Sequence, residues 1–412
     1  MNNVLAIIGE YNPFHNGHLY HIKESKGLTN SDYTILIMSG NFVQRGAPAL
    51  IDKWKRSQMA IENGIDLVVE LPVLYSISSA ENFANGSIQI LNSLKIVNTL
   101  SFGSECGNIS LLNDFTQVLT SEPPEYKSLL GHELSKGLSF PKARENALML
   151  YLGDIRKYSN ILNSPNNTLG IEYLKALQLS KSKIKAFTLQ RQSSDHNSLK
   201  VENGFSSGTA IRNMIFENDF DSLFSVMPKS SYEILIDALR SGEYIADLSS
   251  FEKEIIFKLR NMYIEEIAEL PDVSEGLENL IKESVSNCNT LDELIEKIKS
   301  KRYTRTRIQR ILLYALLGYT KSDYEILKKN PVPYIRVLGF NDKGKELLSL
   351  ISKNNKKLNV ITSVKQFMDK NKKSKSWISL LEKDILSTDI YTLGYSNNSK
   401  AGLDYTKKLI TL

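Results

Sequence analysis

The chain has 412 residues, 42% of them hydrophobic and 24% charged, a composition that fits a folded protein of two or three domains and speaks against disorder. Its net charge of +5 is too small to name a partner, but the basic residues are concentrated: seven with no acid between Lys297 and Arg310, and eight lysines against Asp369 alone between Ile351 and Lys375. Cys106 and Cys288 fit neither a disulfide framework nor a zinc pattern, the start reads as a strand and not a signal peptide, and no apolar run is long enough to span a bilayer, so a reducing, cytoplasmic setting without a membrane role is expected.

In chain order, "NVLAII" predicts a strand, followed after a loop by a helix from about His18. "YTILIM" predicts a second strand, and "IDKWKRSQMAIENG" a helix closed by Gly64. "DLVVELP" is a third strand ended by Pro72, "SAENFANGSIQILNSL" a helix, and "TLSFGSE" a further strand end. Residues 106–160 read as mainly helical. "SPNNTLGIEYLKALQL" leads a loop into a helix, "IKAFTLQR" returns as a strand, and "SSGTAIRNMIFEN" starts a helix capped by Ser206 or Ser207. Strict alternation of strand and helix implies an α/β class, a Rossmann-like parallel sheet with helices on both faces, over residues 1–227.

Past Pro228 long helices take over, and 228–320 is expected to be a helical domain. In "TRTRIQRILLYALLG" the residues Ile308, Ile311, Leu312, Ala315 and Leu316 share one face, while Arg307 and Arg310 lie on another. Residues 321–412 are expected to form a small, mixed, basic C-terminal region. Within it "GFNDKGKE" nearly matches a P-loop, but Glu346 stands where a hydroxyl should ligate magnesium, so a turn into a helix is expected instead.

Parallel sheets bind ligands at the carboxyl ends of their strands. Gly9 to His15, Ser39 to Arg45 and Gly103 to Glu105 all fall there. The first of these loops runs into "GEYNPFHNGHLYH", which holds three of the five histidines, His15, His18 and His21. As metal ligands on one helix they would fan across about 120°, wide for a single ion, and Pro13 and Gly17 place His15 in the loop. A zinc site stays open on spacing alone, as does an ordinary surface helix, which suits His21. A phosphate site uses more of the pattern: a helix N-terminus attracts an anion, Gly17 lets a nucleotide approach the backbone, and two imidazoles can donate to phosphate oxygens as charge builds on them.

"HNGH", residues 15–18, resembles the HxGH signature of the class I nucleotidyltransferase superfamily, and "SSGTAIR", Ser206 to Arg212, resembles its second signature, Ser-(Ser)-Thr-x-Ile-Arg, with Gly208 interposed. Together with "MSGNFVQRGAPALIDKWKRSQMAIENGIDLVVELP", "FGSE", "SPNNTLGIEYLKAL" and "TRTRIQRILLYALL", these stretches are similar over nearly the whole chain to the bacterial tRNA(Met) cytidine acetate ligase family. That resemblance implies a ligase that uses ATP, accompanied by Mg2+, to activate acetate as acetyl-adenylate with release of pyrophosphate. The acetyl group then passes to N4 of the wobble cytidine, position 34, of elongator tRNA(Met).

The resemblance also implies roles. His15 and His18 would be catalytic, at the phosphates, within an ATP-binding loop made of Ile7, Ile8, Gly9, Glu10, Tyr11, Asn12, Pro13, Phe14, His15, Asn16, Gly17, His18, Leu19 and Tyr20. Gly103, Asn166 or Asn167, and Arg191 would lie against the nucleotide; Ser207, Thr209 and Arg212 would contact the β and γ phosphates. After Arg191 the chain reads "RQSSDHNS" where the family continues towards Tyr-His-Asp, which leaves Asp195 and His196 without an assigned role. No resident metal ligand set is implied.

For the tRNA partner, Arg302, Arg305, Arg307 and Arg310 are the expected phosphate contacts, with Tyr303 or Trp377 available for base stacking. Asn41, Gln44, Arg45 and Asp52 are candidates for the acetate or cytidine pocket, equally readable as a structural loop and helix cap; Lys53, Lys55 and Arg56 are candidate phosphate or RNA contacts, although a solvated helix face is the commoner fate of such charges. Two other function classes remain open on sequence: a small-molecule adenylyl- or cytidylyltransferase, and a non-catalytic RNA-binding protein with a degenerate nucleotide fold.

Overall fold

Val4–Gly9 (β1) divides its side chains between two cores: Val4, Ala6 and Ile8 enter one, Leu5 and Ile7 the other. A strand buried on both faces has no polar side to alternate with, so it reads as an unbroken apolar run. Tyr33–Ser39 (β2) does the same, with Ile35 and Ile37 on the first side and Leu36 and Met38 on the second. These features come from a computed structural model that describes residues 3–158, 161–162, 164–191, 205–371, 377–397 and 399–412.

After β2 the chain makes a short antiparallel hairpin, Phe42–Val43 (β3) against Ala47–Pro48 (β4). Leu67–Leu71 (β5), Thr99–Ser104 (β6) and Lys185–Gln190 (β7) then complete a parallel set in the order β5-β2-β1-β6-β7. The α/β class expected from the sequence is present, and the sheet is mixed: Ile335–Phe340 (β8) joins antiparallel to β5, with Val360–Ile361 (β9) and Ile410–Thr411 (β10) parallel to β8. The last ninety or so residues thus extend the sheet that begins at Val4. Local periodicity says which residues form a strand but not its distant neighbour, so this pairing was not visible in the sequence.

Asn16–Leu28 (α1) and Lys53–Glu62 (α2) cover one face of the sheet through Ile22, Met59 and Ile61, joined by the helices Gly208–Phe216, Phe220–Val226 and Lys229–Ser241. The helices Ala80–Leu94, Ile109–Ser121 and Pro165–Leu179 cover the other. That core continues into the helices Glu252–Asn261, Leu277–Ser286, Leu291–Ile298 and Arg305–Leu317.

Charge ties the C-terminal elements to the sheet as well. Lys53 Nζ lies 2.9 Å from Glu70 Oε1 and 3.0 Å from Asp404 Oδ1; Arg336 lies 3.3 Å from Glu70 Oε2 and also bonds Asp404. Two cations and two anions are thereby paired inside the protein. Burial opposes ionisation of Asp404, but Arg336 and Lys53 outweigh it and hold its carboxyl below the usual carboxylate range. Among the described residues no helix is long and apolar enough to cross a membrane.

Candidate functional site

At the end of β1 the chain turns sharply, with Tyr11 at a φ of 47° and a cis Asn12–Pro13 peptide bond, and enters α1 with His15 as its N-cap. The cap is unusual in chemistry. His15 Nδ1 accepts the Gly17 N–H at 3.1 Å, and His18 Nδ1 accepts the His15 N–H at 3.3 Å. The two rings stack, centroids 3.7 Å apart and 24° from parallel. A ring nitrogen that accepts carries no proton, so in a neutral imidazole the proton is on Nε2, where it can be donated to a ligand. Burial keeps His18 neutral, the other imidazoles and the Arg191 guanidinium around it further disfavour a second positive charge, and its pKa lies well below the ordinary value.

A Cβ on Gly17 would stand 2.9 Å from His15 Cε1. The glycine therefore makes room first for the His15 ring, where the sequence suggested room for a nucleotide.

A second helix start faces the first. Ser207 caps Gly208–Phe216 by accepting the Ala210 N–H at 3.1 Å, and Arg212 reaches back to donate to the Asn12 carbonyl at 3.2 Å. Two helix N-termini, each with a positive partial charge, open on one space. Arg191 and Arg212 enter the same space, and burial pulls both below the usual guanidinium range. Such cations are costly to bury unless an anion joins them.

The space is a cavity of about 300 Å³. Of the expected site residues, Ile7, Ile8, Gly9, Glu10, Tyr11, Asn12, Pro13, His15, Gly17, His18 and Tyr20 line it, as do Gly103, Asn166, Arg191, Ser207, Thr209 and Arg212. Three members of the first loop do not. Phe14 is fully buried with its ring against Tyr11, Asn16 donates to the Ser225 carbonyl at 3.0 Å, and Leu19 packs on the second core. Of the two candidate asparagines, Asn166 lines the cavity, while Asn167 is buried, accepting the Cys106 N–H and donating to the Ile161 carbonyl.

Sequence reading missed part of the wall. His21, expected to be an ordinary helical residue, lines the cavity with Nε2 3.0 Å from Ser101 Oγ, and burial with the Arg191 charge lowers its pKa to about 4. Its place one turn after His18 was the available signal. Phe83, Phe102, Leu169, Tyr173 and Phe205 add an apolar wall, brought in from four different segments. Asp195 and His196 lie outside the described residues.

The secondary candidates divide. Gln44 and Arg45 line the cavity from the hairpin, whereas Asn41 is buried and accepts the Lys53 N–H, and Asp52 is the N-cap of α2. Lys53 and Arg56 are not a solvated or RNA-facing surface: Lys53 sits in the buried ion cluster, and Arg56 donates to the carbonyls of Glu10, Ser39, Gly40 and Ile51. Lys55 pairs with Asp52 and Glu243.

Of the four arginines expected to meet RNA, Arg302 pairs with Glu275 and Arg305 with Asp292 and Glu296, both substantially exposed. Arg307 donates to the Asp272 carbonyl and Arg310 to its carboxylate. Tyr303 and Trp377 offer no stacking face, since Tyr303 is buried beneath Arg307 and Trp377 packs in a small core with Tyr334 and Ile378. The helix carrying Arg305, Arg307 and Arg310 also touches the hairpin that lines the site: a Cβ on Gly46, in the hairpin turn, would lie 2.6 Å from the Arg310 backbone nitrogen. Among the described residues no group of three His, Cys, Asp or Glu side chains is placed to hold a metal ion.

Comparison with known proteins gives consistent results. The family model for HIGH nucleotidyl transferases matches residues 1–405. The tRNA(Met) cytidine acetate ligase of Thermoanaerobacter sp. (strain X514) is 47% identical over 410 residues, covering 99% of this chain and 100% of the relative, and that of Acetivibrio thermocellus is 42% identical over 419 residues, with 99% and 100% covered. Among solved structures, Thermotoga maritima TmcAL superposes with a TM-score of 0.93 in its apo form I at 32% identity, and with 0.91 when bound with alpha-thio ATP at 33% identity. Both alignments cover 100% of this chain and 99% of the other.

Proposed function

The chain belongs to the tRNA(Met) cytidine acetate ligases of the HIGH nucleotidyl transferase family, and on that footing we propose how its own residues carry out the reaction. ATP occupies the cavity with its adenosine along Ile7 to Gly9, Gly103 and Asn166 and its triphosphate between the two helix N-termini. An acetate oxygen attacks the α-phosphorus, pyrophosphate leaves, and acetyl-adenylate forms. The exocyclic amine of the tRNA cytidine then attacks the acetyl carbon and AMP departs.

Activation is needed because acetate alone would have to expel an oxide; the adenylate replaces it with a phosphate leaving group. The Nε2–H groups of His15 and His18 donate to phosphate oxygens as negative charge grows, and Arg212 and Arg191 balance the charge of the nucleotide. Magnesium would accompany ATP and, when bound, would supply positive charge against the leaving pyrophosphate.

The observation that carries this reading is the paired imidazole cap facing a second helix N-terminus, in a chain 47% identical over its full length to a curated ligase. The direct test supplies ATP, labelled acetate and bacterial tRNA and looks for label in N4-acetylcytidine. Label that appears only with acetyl-CoA in place of acetate and ATP would overturn it.

A further inference from the structure

Glu10 is out of place in a site for polyanions. Among the described residues it is the only carboxylate lining the cavity, beside Arg45, Arg191 and Arg212. Its charge opposes both reactants of the first step, an ATP triphosphate and an acetate anion. A glutamine would make the same structural contact, because the contact uses one oxygen as an acceptor: the Gln44 N–H donates to Glu10 Oε1 at 2.9 Å. That charge also offsets the buried Arg56 and Arg212 guanidiniums, and of the two steps of the reaction it suits the second.

We propose that Glu10 is the catalytic base of acetyl transfer, taking the proton from the cytidine N4 amine as that nitrogen attacks acetyl-adenylate. The inference rests on the ligase reading above and assigns a residue to its second half. Once pyrophosphate has left, most of the negative charge has gone with it, and the remaining obstacle is the nucleophile. The exocyclic amine of cytidine shares its lone pair with the ring and is a weak base, but its N–H becomes acidic as the new C–N bond forms. A carboxylate is then a competent acceptor.

The step balances: the nitrogen pair forms the C–N bond, the acyl C–O bond to phosphate breaks with its pair on AMP, and the N4 proton passes to a Glu10 oxygen and on to solvent. The geometry holds that oxygen in place from two sides. Arg56 grips the Glu10 backbone carbonyl at 2.6 Å, and the hairpin amide of Gln44 fixes Oε1, which leaves Oε2 for the incoming amine. The hairpin in turn rests, at Gly46, on the basic helix Arg305–Leu317 expected to meet tRNA, so the base lies on the side from which the cytidine would enter.

The test compares full-length wild-type and Glu10→Gln proteins in two assays, acetate-dependent ATP–pyrophosphate exchange for the first step and single-turnover transfer from supplied acetyl-adenylate to tRNA for the second. The proposal expects transfer by the variant to fall about 100-fold or more relative to its exchange, the usual scale for loss of a general base. Glu10→Asp, which keeps a carboxylate one methylene shorter, is expected to recover part of that loss. Equal losses in both assays, as a magnesium-binding or purely structural carboxylate would give, overturn the proposal, and so does transfer at the wild-type rate. Wild-type protein without acetate-dependent exchange would overturn the ligase reading itself, whatever Glu10 does.

Discussion

The His15 and His18 rings stack at 3.7 Å, and each gives up its Nδ1 to a backbone N–H. The arrangement does two things at once. It closes the first turn of α1, and it sets both rings in the tautomer that donates from Nε2. His15→Ala and His18→Ala should each lower acetate-dependent ATP–pyrophosphate exchange about 100- to 1,000-fold, the scale of a lost donor to a developing negative charge. Exchange within a few-fold of wild type in the double variant would show that the rings do not act on phosphate.

Gly17→Ala tests the same pair without removing either ring. The added methyl would meet His15 Cε1 at 2.9 Å, so His15 has to swing away from its stacked position. The helix itself gains in propensity. A sharp fall in exchange is expected with a melting temperature close to that of wild type, since the gain in propensity offsets the lost His15 cap. Unaltered exchange would mean that the position of the His15 ring is immaterial.

Low pH should weaken the fold through His18 and His21. Both have folded-state pKa values below the ordinary one, His21 at about 4, so the unfolded chain takes up protons that the folded chain refuses. Stability is full above the unfolded pKa, about 6.5, and declines as pH falls from there towards 4. Urea midpoints of wild type and His21→Asn, measured across that window, should show a steeper decline in wild type. Parallel curves would refute the linkage.

The buried cluster of Lys53, Glu70, Arg336 and Asp404 predicts a non-additive pair. Arg336→Met leaves two carboxylates facing one cation and should destabilise by about 3–5 kcal/mol. Arg336→Met with Asp404→Leu removes one charge of each sign and should cost less than the single change. Chemical denaturation of the two variants decides it.

Arg302 and Arg305 are exposed and held only by surface carboxylates, which phosphates can displace. Replacing both with Ala should weaken tRNA binding and reduce its salt dependence by about two phosphate contacts, leaving pyrophosphate exchange in place. Unchanged tRNA affinity would move the RNA surface elsewhere.

Much of this was legible locally. β1 and β2 show as apolar runs because both their faces are covered, and Asp52 and Ser207 announce helices because their side chains accept N–H groups of the first turn. What was not legible depends on distant partners. Lys53 and Arg56 look like solvated charges until Glu70, Asp404 and the loop carbonyls come into view, and Tyr303 looks like a stacking platform until Arg307 closes over it. His21 and the aromatic wall of the cavity likewise belong to no motif; they are where separate segments happen to meet.

The seat of β8 beside β5 has a consequence for how the protein is made. A ribosome delivers Leu67–Leu71 long before Ile335–Phe340, so during most of synthesis β5 has an unpaired edge, and Glu70 and Lys53 lack Arg336 and Asp404. Pairings so far apart in sequence form slowly. The nascent chain therefore carries an open strand edge through the emergence of the whole helical region, until Ile335–Phe340 pairs with β5 and Asp404 completes the ion cluster.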